Sequence, residues 1–226
     1  MAGAHRHDHA SAGRRSLAAA LALILGLLAA EVVVGIVASS LALLADAGHM
    51  LTDAAALALA FVAAGIARRP AGGSWTFGFR RVEILAALAN GITLVLVGIW
   101  IVYAALRRLV APPEVRGGLV LVVAAVGIAV NLAAVALLAR PSRDSLNVRG
   151  AFLHVATDLA AFAATAVAGA LVLASGWDRF DPLASLLVAA LMFWGAWRLL
   201  RESTRIFLEG APAEIAPDEV GRAIVA

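Results

Sequence analysis

One apolar stretch decides the fold of this chain: residues Ser40–Pro70 read SLALLADAGHMLTDAAALALAFVAAGIARRP. The part from Ser40 to Ala67 can cross the roughly 30 Å hydrocarbon core of a bilayer, since a helix rises about 1.5 Å per residue. Arg68 and Arg69 then end the stretch, because charged side chains are unfavourable at membrane depth. The stretch therefore predicts a transmembrane helix, and the ionisable residues inside it need an explanation.

The composition of the whole chain is that of a membrane protein. Of its 226 residues, 63% are hydrophobic and 15% are charged, and the mean hydropathy is +0.94. Soluble domains are nearer half apolar and a quarter charged. The chain has no cysteine, which excludes a disulfide framework and a thiolate metal site. The arginines flank apolar runs instead of forming a basic domain, so we expect no nucleic-acid partner.

Five further apolar runs accompany the first one, and short loops join them. We expect an all-α membrane protein that folds as a six-transmembrane-helix bundle. The six predicted spans are about 16–38, 40–67, 82–106, 117–139, 146–174 and 182–200. A signal peptide could imitate the first run, but that run is too long and the later runs repeat it.

Three domains are expected along the chain. Residues 1–15 carry several histidines and are predicted to form a disordered cytosolic tail, and residues 16–205 the six-span transmembrane domain. Residues 206–226 are amphipathic and acidic, and are predicted to begin a cytosolic C-terminal domain that is truncated in its first helix.

The placement of arginine predicts the orientation in the membrane. If the N-terminus is cytosolic, most arginines lie in cytosolic segments, as the positive-inside rule requires. The loops on the other side then hold only Arg107, Arg108, Arg116 and Arg179. We therefore expect a multi-pass protein of the cell membrane with both termini in the cytosol.

The ionisable residues inside the spans form one repeated pattern. His49 and Asp53 are four residues apart in the second predicted span, and His154 and Asp158 repeat this spacing in the fifth. Four residues along a helix return to the same face, one turn further on. Two imidazoles and two carboxylates complete a tetrahedral shell for a divalent metal such as zinc. The four residues are therefore a candidate metal site.

The charges of this site predict exchange of metal for protons. Two carboxylates cancel the double charge of the ion, and imidazoles bind metal only when neutral. With an unperturbed pKa near 6.5, the same imidazoles can carry protons when the site is empty. Zn²⁺ is favoured, with Co²⁺, Cd²⁺ and Ni²⁺ as companions, because Cu(I) prefers thiolates and Mg²⁺ prefers more oxygen ligands. The alternative is a structural hydrogen bond within each pair, and the repetition of the pair argues against it.

Other polar residues in the spans are candidates for roles around the metal. Asp46 lies one turn before His49 and could orient it or admit protons, or could be solvated near the end of its span. Glu31 in the first span could relay protons or pair helices. Asn90 and Asn131 could tune the site or form interhelical hydrogen bonds.

Two further predictions concern the ends of helices. Asp181 before Pro182 is predicted to be the N-cap of the sixth span. Arg80, Arg81 and Glu83 are predicted to form an ion-pair cluster at the cytosolic interface.

Together with these residues, five segments make the chain resemble the cation diffusion facilitator family of zinc-exporting antiporters. The segments are Leu44–Asp53 (LADAGHMLTD), Thr76–Asn90 (TFGFRRVEILAALAN), Asn147–Asp158 (NVRGAFLHVATD), Asp181–Ser185 (DPLAS) and Leu208–Pro212 (LEGAP). The resemblance implies a homodimer of six-helix protomers, with the transport site formed by spans two and five. It places His49, Asp53, His154 and Asp158 at the transport-site positions, in a pattern that goes with zinc and related ions.

The chain departs from the family pattern in two places. Family members often have a histidine where this chain has Trp75, and no aspartate lies between Arg69 and Trp75. We therefore expect the family's second metal site, in the loop after span two, to be absent. Members also continue into a soluble metal-binding domain, of which we expect only the start here.

The function expected from the sequence is proton-coupled export of Zn²⁺, with the metal as substrate and without a prosthetic group. Protons, membrane lipid and a second copy of the chain are the expected partners. One alternative is a transport-incompetent metal-binding or assembly subunit. Another is a membrane metalloenzyme, which would need an open coordination position and a general base beside the metal. The four balanced ligands and the lack of a His-Glu-x-x-His motif argue against an enzyme.

Overall fold

The computed structural model describes residues 23–72, 75–76, 78–138, 146–210 and 222. For residues 134–138 and 146–155 it describes the helical backbone but not the side chains. The predicted tail at residues 1–15 and most of the predicted C-terminal segment 206–226 therefore lie outside the described residues.

One α-helix overlaps each of the six predicted spans. The helices are α1 (Leu23–Val37), α2 (Leu41–Ala67), α3 (Arg81–Val110), α4 (Gly117–Leu138), α5 (Leu146–Ser175) and α6 (Phe180–Phe207). Four of them, α2, α3, α5 and α6, contain stretches long and apolar enough to cross a membrane, whereas the apolar parts found for α1 and α4 are shorter. The prediction of an all-α multi-pass membrane protein is confirmed.

Apolar side chains cover the outside of the helices, as expected for a protein surrounded by lipid. Phe61 is 84% exposed and Leu57 74% exposed, both in α2, and Trp100 and Tyr103 of α3 are also exposed. In water such a surface would drive aggregation, but hydrocarbon tails solvate it.

By its internal contacts the chain divides into two compact units. Unit 1 consists of Met1–Leu51 and Val97–Leu191, and unit 2 of Thr52–Leu96 and Met192–Ala226. Three buried apolar clusters formed by described residues lie in unit 1, and many of their members are small. One cluster packs Ala42 of α2, Ala168 of α5 and Ala184 of α6 together.

Glycines bring α4 and α5 into backbone contact in unit 1. A Cβ atom added to Gly117 would lie 2.6 Å from the carbonyl oxygen of Gly169, and one added to Gly169 would lie 2.9 Å from the nitrogen of Leu121. Neither position can accept a side chain, which is the usual reason for small residues between membrane helices. The position of α5 is therefore set by close packing against α4.

The start of α2 is held by a carboxylate from α6. Asp181 accepts hydrogen bonds from the backbone N–H groups of Leu41 (2.6 Å) and Ala42 (3.3 Å) and from the hydroxyl of Ser40 (2.5 Å). The prediction that Asp181 caps its own helix was therefore wrong. Asp181 lies inside the first turn of α6, which begins at Phe180, and its side chain turns to the N-terminus of another helix.

The ion pair observed at the start of α3 also differs from the predicted cluster of Arg80, Arg81 and Glu83. Arg81 pairs with Glu209, just after the end of α6, and both side chains are more than half exposed. The nearby Glu83 was the expected partner. Both residues of the observed pair belong to unit 2, and 128 positions separate them in the sequence.

Candidate metal centre

His49 and Asp53 lie on one continuous helix, α2. His49 occupies the third turn, and Asp53 follows one turn later on the same helix face, as the spacing predicts. Both residues are half-buried. The helix thus presents an imidazole and a carboxylate in sequence along one face.

The histidine of α2 meets the aspartate of α5. The Nε2 atom of His49 lies 3.6 Å from Oδ1 of Asp158, and these side chains are only 14% and 19% exposed. Two ligands of a tetrahedral zinc ion, each about 2.0–2.2 Å from the metal, lie roughly 3.3–3.6 Å apart. The two atoms therefore have the spacing of ligands that share one ion.

The other histidine of the predicted set is only partly described. The backbone of His154 lies in α5, one turn before Asp158, but its side chain lies outside the described residues. Among the side chains that are described, no group of three or more His, Asp or Glu residues has the arrangement of a metal site. The structure thus brings together His49 and Asp158, and the four-residue site stays a prediction.

Two more carboxyl groups lie in the interior of unit 1. Asp46 of α2 is 1% exposed and Glu31 of α1 is fully buried. The interpretation of Asp46 as a solvated residue at the end of its span is therefore wrong. Both oxygens of Glu31 lack a hydrogen-bond partner of normal geometry among the described residues, although Asp46 is close enough to interact with this carboxyl.

The electrostatic surroundings of Glu31 are acidic. Asp46 is the charged group that acts on it most strongly, followed by Asp158, and no arginine of the described chain contributes. We call Glu31, Asp46 and Asp158 the acidic interior. Burial makes a negative charge on Glu31 unfavourable, so a proton or a cation is its natural counter-charge.

The two candidate asparagines take different positions. The amide of Asn131 donates a 3.1 Å hydrogen bond to the carbonyl of Gly127, one turn earlier in α4. This bond is within one helix, whereas the sequence suggested either a role in tuning the site or an interhelical bond. Asn90 is half-buried in α3 and belongs to unit 2.

Sequence reasoning missed one polar residue close to this region. Thr165 of α5 is fully buried, and its hydroxyl has no hydrogen-bond partner among the described residues. It lies two turns after Asp158 on the same face of the helix. A threonine in an apolar helix usually bonds to its own backbone, so its presence alone carried no signal.

The chain matches known proteins over most of its length. The family model described as the cation efflux transmembrane domain matches residues 17–208. The metal cation efflux system protein CzcD of Cupriavidus metallidurans is 42% identical over 227 residues, which cover the whole of this chain and 72% of that protein. The zinc transporter ZitB of Escherichia coli is 41% identical over 226 residues, 97% of this chain and 72% of that protein.

A third relative has a name that specifies ion exchange. The cadmium, cobalt and zinc/H(+)-K(+) antiporter of Bacillus subtilis is 36% identical over 222 residues, 97% of this chain and 71% of that protein. The family match and these identities agree with the motifs found in the sequence. The chain therefore belongs to the family of cation efflux transporters, the cation diffusion facilitators that its motifs resemble, and not to a family of enzymes.

Proposed function

We propose that this protein is a proton-coupled antiporter that exports Zn²⁺ from the cytosol, with Co²⁺, Cd²⁺ and Ni²⁺ as further substrates. The observation that carries the proposal is the 3.6 Å approach of His49 on α2 to Asp158 on α5. An imidazole and a carboxylate from separate helices, held at the spacing of shared ligands in a largely buried place, suit a divalent ion.

Asp53 and His154 complete the proposed ligand set. The two carboxylates neutralise the double charge of the ion, and the two neutral imidazoles fill the shell without adding charge. The metal is the transported substrate, so the site must release it as well as bind it. Competition by protons for the same four side chains provides that release.

The acidic interior supports the coupling to protons. Metal binding needs ionised carboxylates and neutral imidazoles, so each ion that enters displaces protons. Glu31 and Asp46 lie deep in unit 1, and Glu31 is within electrostatic range of the ligand Asp158. In this proposal they pass protons to and from the site. The name of the Bacillus subtilis relative, a cadmium, cobalt and zinc/H(+)-K(+) antiporter, supports proton exchange.

The proposed setting is a cell membrane with both termini in the cytosol. The distribution of arginine supports that orientation. Within it, residues 1–15 are the cytosolic tail, 16–205 the transmembrane domain and 206–226 the start of a cytosolic segment. A homodimer surrounded by lipid alternates the access of each metal site between the two sides.

Transport can be tested in proteoliposomes that contain a zinc-sensitive dye. When the vesicle lumen is more acidic than the outside solution and zinc is added outside, wild-type vesicles are expected to take up zinc as protons leave. Asp158→Asn keeps the size of the side chain but removes a charged ligand, so uptake is expected to fall about 100-fold or more. Dissipating the pH gradient with a proton ionophore should abolish the driven component in wild type.

Asp178→Asn is the matched control. Asp178 lies between α5 and α6, and its carboxylate accepts a hydrogen bond from the N–H of Val115. Neither residue belongs to the proposed ligand set. This variant is expected to transport like wild type. Wild-type vesicles without gradient-driven uptake would refute antiport. Unchanged uptake by Asp158→Asn would refute the assignment of the site.

A further inference from the structure

Asp181 directs its charge at the beginning of another helix. Ser40 is the N-cap of α2, and its hydroxyl accepts a 3.2 Å bond from the N–H of Leu43, in the third position of the helix. The carboxylate of Asp181 accepts hydrogen bonds from the two N–H groups that precede Leu43, those of Leu41 and Ala42. The first three N–H groups of α2 are thus all paired, and an anion lies where the helix dipole favours it.

Arg108 completes this arrangement from the end of α3. Its Nη1 atom donates a 2.5 Å hydrogen bond to the carbonyl of Ser39 and lies 3.9 Å from Oδ2 of Asp181. Ser39 has a φ of 55°, an uncommon conformation for a residue other than glycine. The guanidinium thereby holds the strained turn between α1 and α2 against the carboxylate. We call Ser40, Arg108 and Asp181 the α2 clamp.

We propose that Asp181 is a positioning residue for metal transport, because it fixes the height and rotation of α2 and so the place of His49 beside Asp158. This inference rests on the proposed function. Asp181 is 1% exposed and contacts α2 across 140 residues of sequence. Its three donors and the nearby guanidinium offset part of the cost of burying a carboxylate here.

The clamp can act on His49 because a helix transmits displacement along its axis. His49 lies eight residues after Leu41, about 12 Å further along α2. On the other side of the site, the glycine contacts with α4 hold α5, and Asp158 with it. Metal ligands must be held within about 0.5 Å of their working geometry. A start of α2 that can slide or turn would therefore separate the two ligands.

Zinc affinity is the first readout. In the proteoliposome assay, Asp181→Asn is expected to raise the zinc concentration for half-maximal uptake about tenfold, equivalent to about 1.4 kcal/mol. Asparagine has the same size, but its NH₂ group would face the N–H or O–H donors from which the carboxylate now accepts hydrogen bonds. Asp178→Asn is an equal change three residues earlier, at a carboxylate that bonds Val115 and not the start of α2, and it should keep the wild-type value. A lower maximal rate at unchanged half-saturation would overturn the positioning role.

A second readout needs neither metal nor transport. Because the chain contains no cysteine, spin labels can be placed at Leu51→Cys on α2 and Ala160→Cys on α5 alone. Pulsed EPR without metal is expected to show a broader or shifted distance distribution in Asp181→Asn, and the wild-type distribution in Asp178→Asn. An unchanged distribution in Asp181→Asn would overturn the inference.

A milder variant keeps the test decisive if Asp181→Asn does not fold. Ser40→Ala removes one donor to Asp181 and the bond to Leu43, and is expected to give a smaller shift of half-saturation in the same direction. Failure of the proposed function is distinguishable, because wild-type vesicles would then take up no zinc while the label distances would still report on the clamp. Wild-type behaviour of Ser40→Ala in both measurements would overturn the inference.

Discussion

The α2 clamp and the acidic interior each contain a completely buried carboxyl group, but the surroundings of the two groups are opposite. Asp181 in the clamp receives three hydrogen bonds and has Arg108 nearby. Glu31 in the acidic interior has neither a normal hydrogen bond nor a basic neighbour among the described residues, and the charged groups that act on it are acidic. Equal burial therefore does not imply an equal role.

The difference separates a structural carboxylate from one for which we propose an exchangeable charge. A buried carboxylate with several donors stabilises the arrangement that supplies them, and its removal leaves those donors unpaired. A buried carboxyl without donors adds no such stability, and it is retained in a membrane helix where ions or protons pass. The following predictions test this distinction, beginning with the largest expected effect.

Removal of the charge in the clamp is expected to destabilise the fold most. Asp181→Asn should lower the free energy of unfolding by about 3 kcal/mol, because the amide has one acceptor oxygen where the carboxylate has two, and because Arg108 loses its ion-pair partner. Unfolding in mixed micelles with increasing dodecyl sulfate measures this change. Asp178→Asn is the control and should lose about 1 kcal/mol or less. Equal losses of stability in the two variants would contradict the structural role assigned to the α2 clamp.

The same change of charge in the acidic interior should affect transport and not stability. Glu31→Gln is expected to leave the free energy of unfolding unchanged or slightly higher, since glutamine keeps the size of the side chain and brings no charge into this buried place. Its rate of pH-driven zinc uptake should fall about tenfold, equivalent to about 1.4 kcal/mol in the barrier. Unfolding and flux measured on one preparation test both statements. A loss of stability as large as that of Asp181→Asn would make Glu31 a structural residue.

The smallest effect is expected for an ion pair in water. Arg81 and Glu209 are 58% and 72% exposed, so solvent screens their attraction. Arg81→Gln should change the free energy of unfolding by about 0.5 kcal/mol or less. The micelle assay repeated at low and high salt measures this contribution. A change approaching that of Asp181→Asn would show that exposure does not separate weak from strong carboxylate contacts here.

The six helices could be predicted because hydropathy is a local property of the chain. The third predicted span ended at residue 106, where two arginines follow, but α3 continues to Val110. Both arginines have partners that let the helix extend: Arg107 lies over the ring of Tyr103, with 6.0 Å between its Cζ atom and the ring centroid, and Arg108 contacts Ser39. Those partners depend on folding, so the end of the helix could not be predicted from hydropathy.

The candidate site was predictable to the extent that it is periodic. A His and an Asp four residues apart must share a helix face, and the repeated pattern suggested that two helices meet. The structure places His49 beside Asp158, as that pattern suggested. The burial of Asp46 could not be predicted, because its position one turn before His49 fits both a solvated helix end and an interior position.

The sequence by itself determined the membrane class, the six helices and the two matching His-Asp pairs, since apolar length and helical period are encoded within 20 to 30 neighbouring residues. Only the tertiary structure decided which buried carboxylates are paired. The partners of Asp181 lie 140 residues away, and the partner of Arg81 lies 128 residues away. Contacts over such separations are chosen by the packing of helices, and no local pattern specifies that a residue at the start of α6 caps α2.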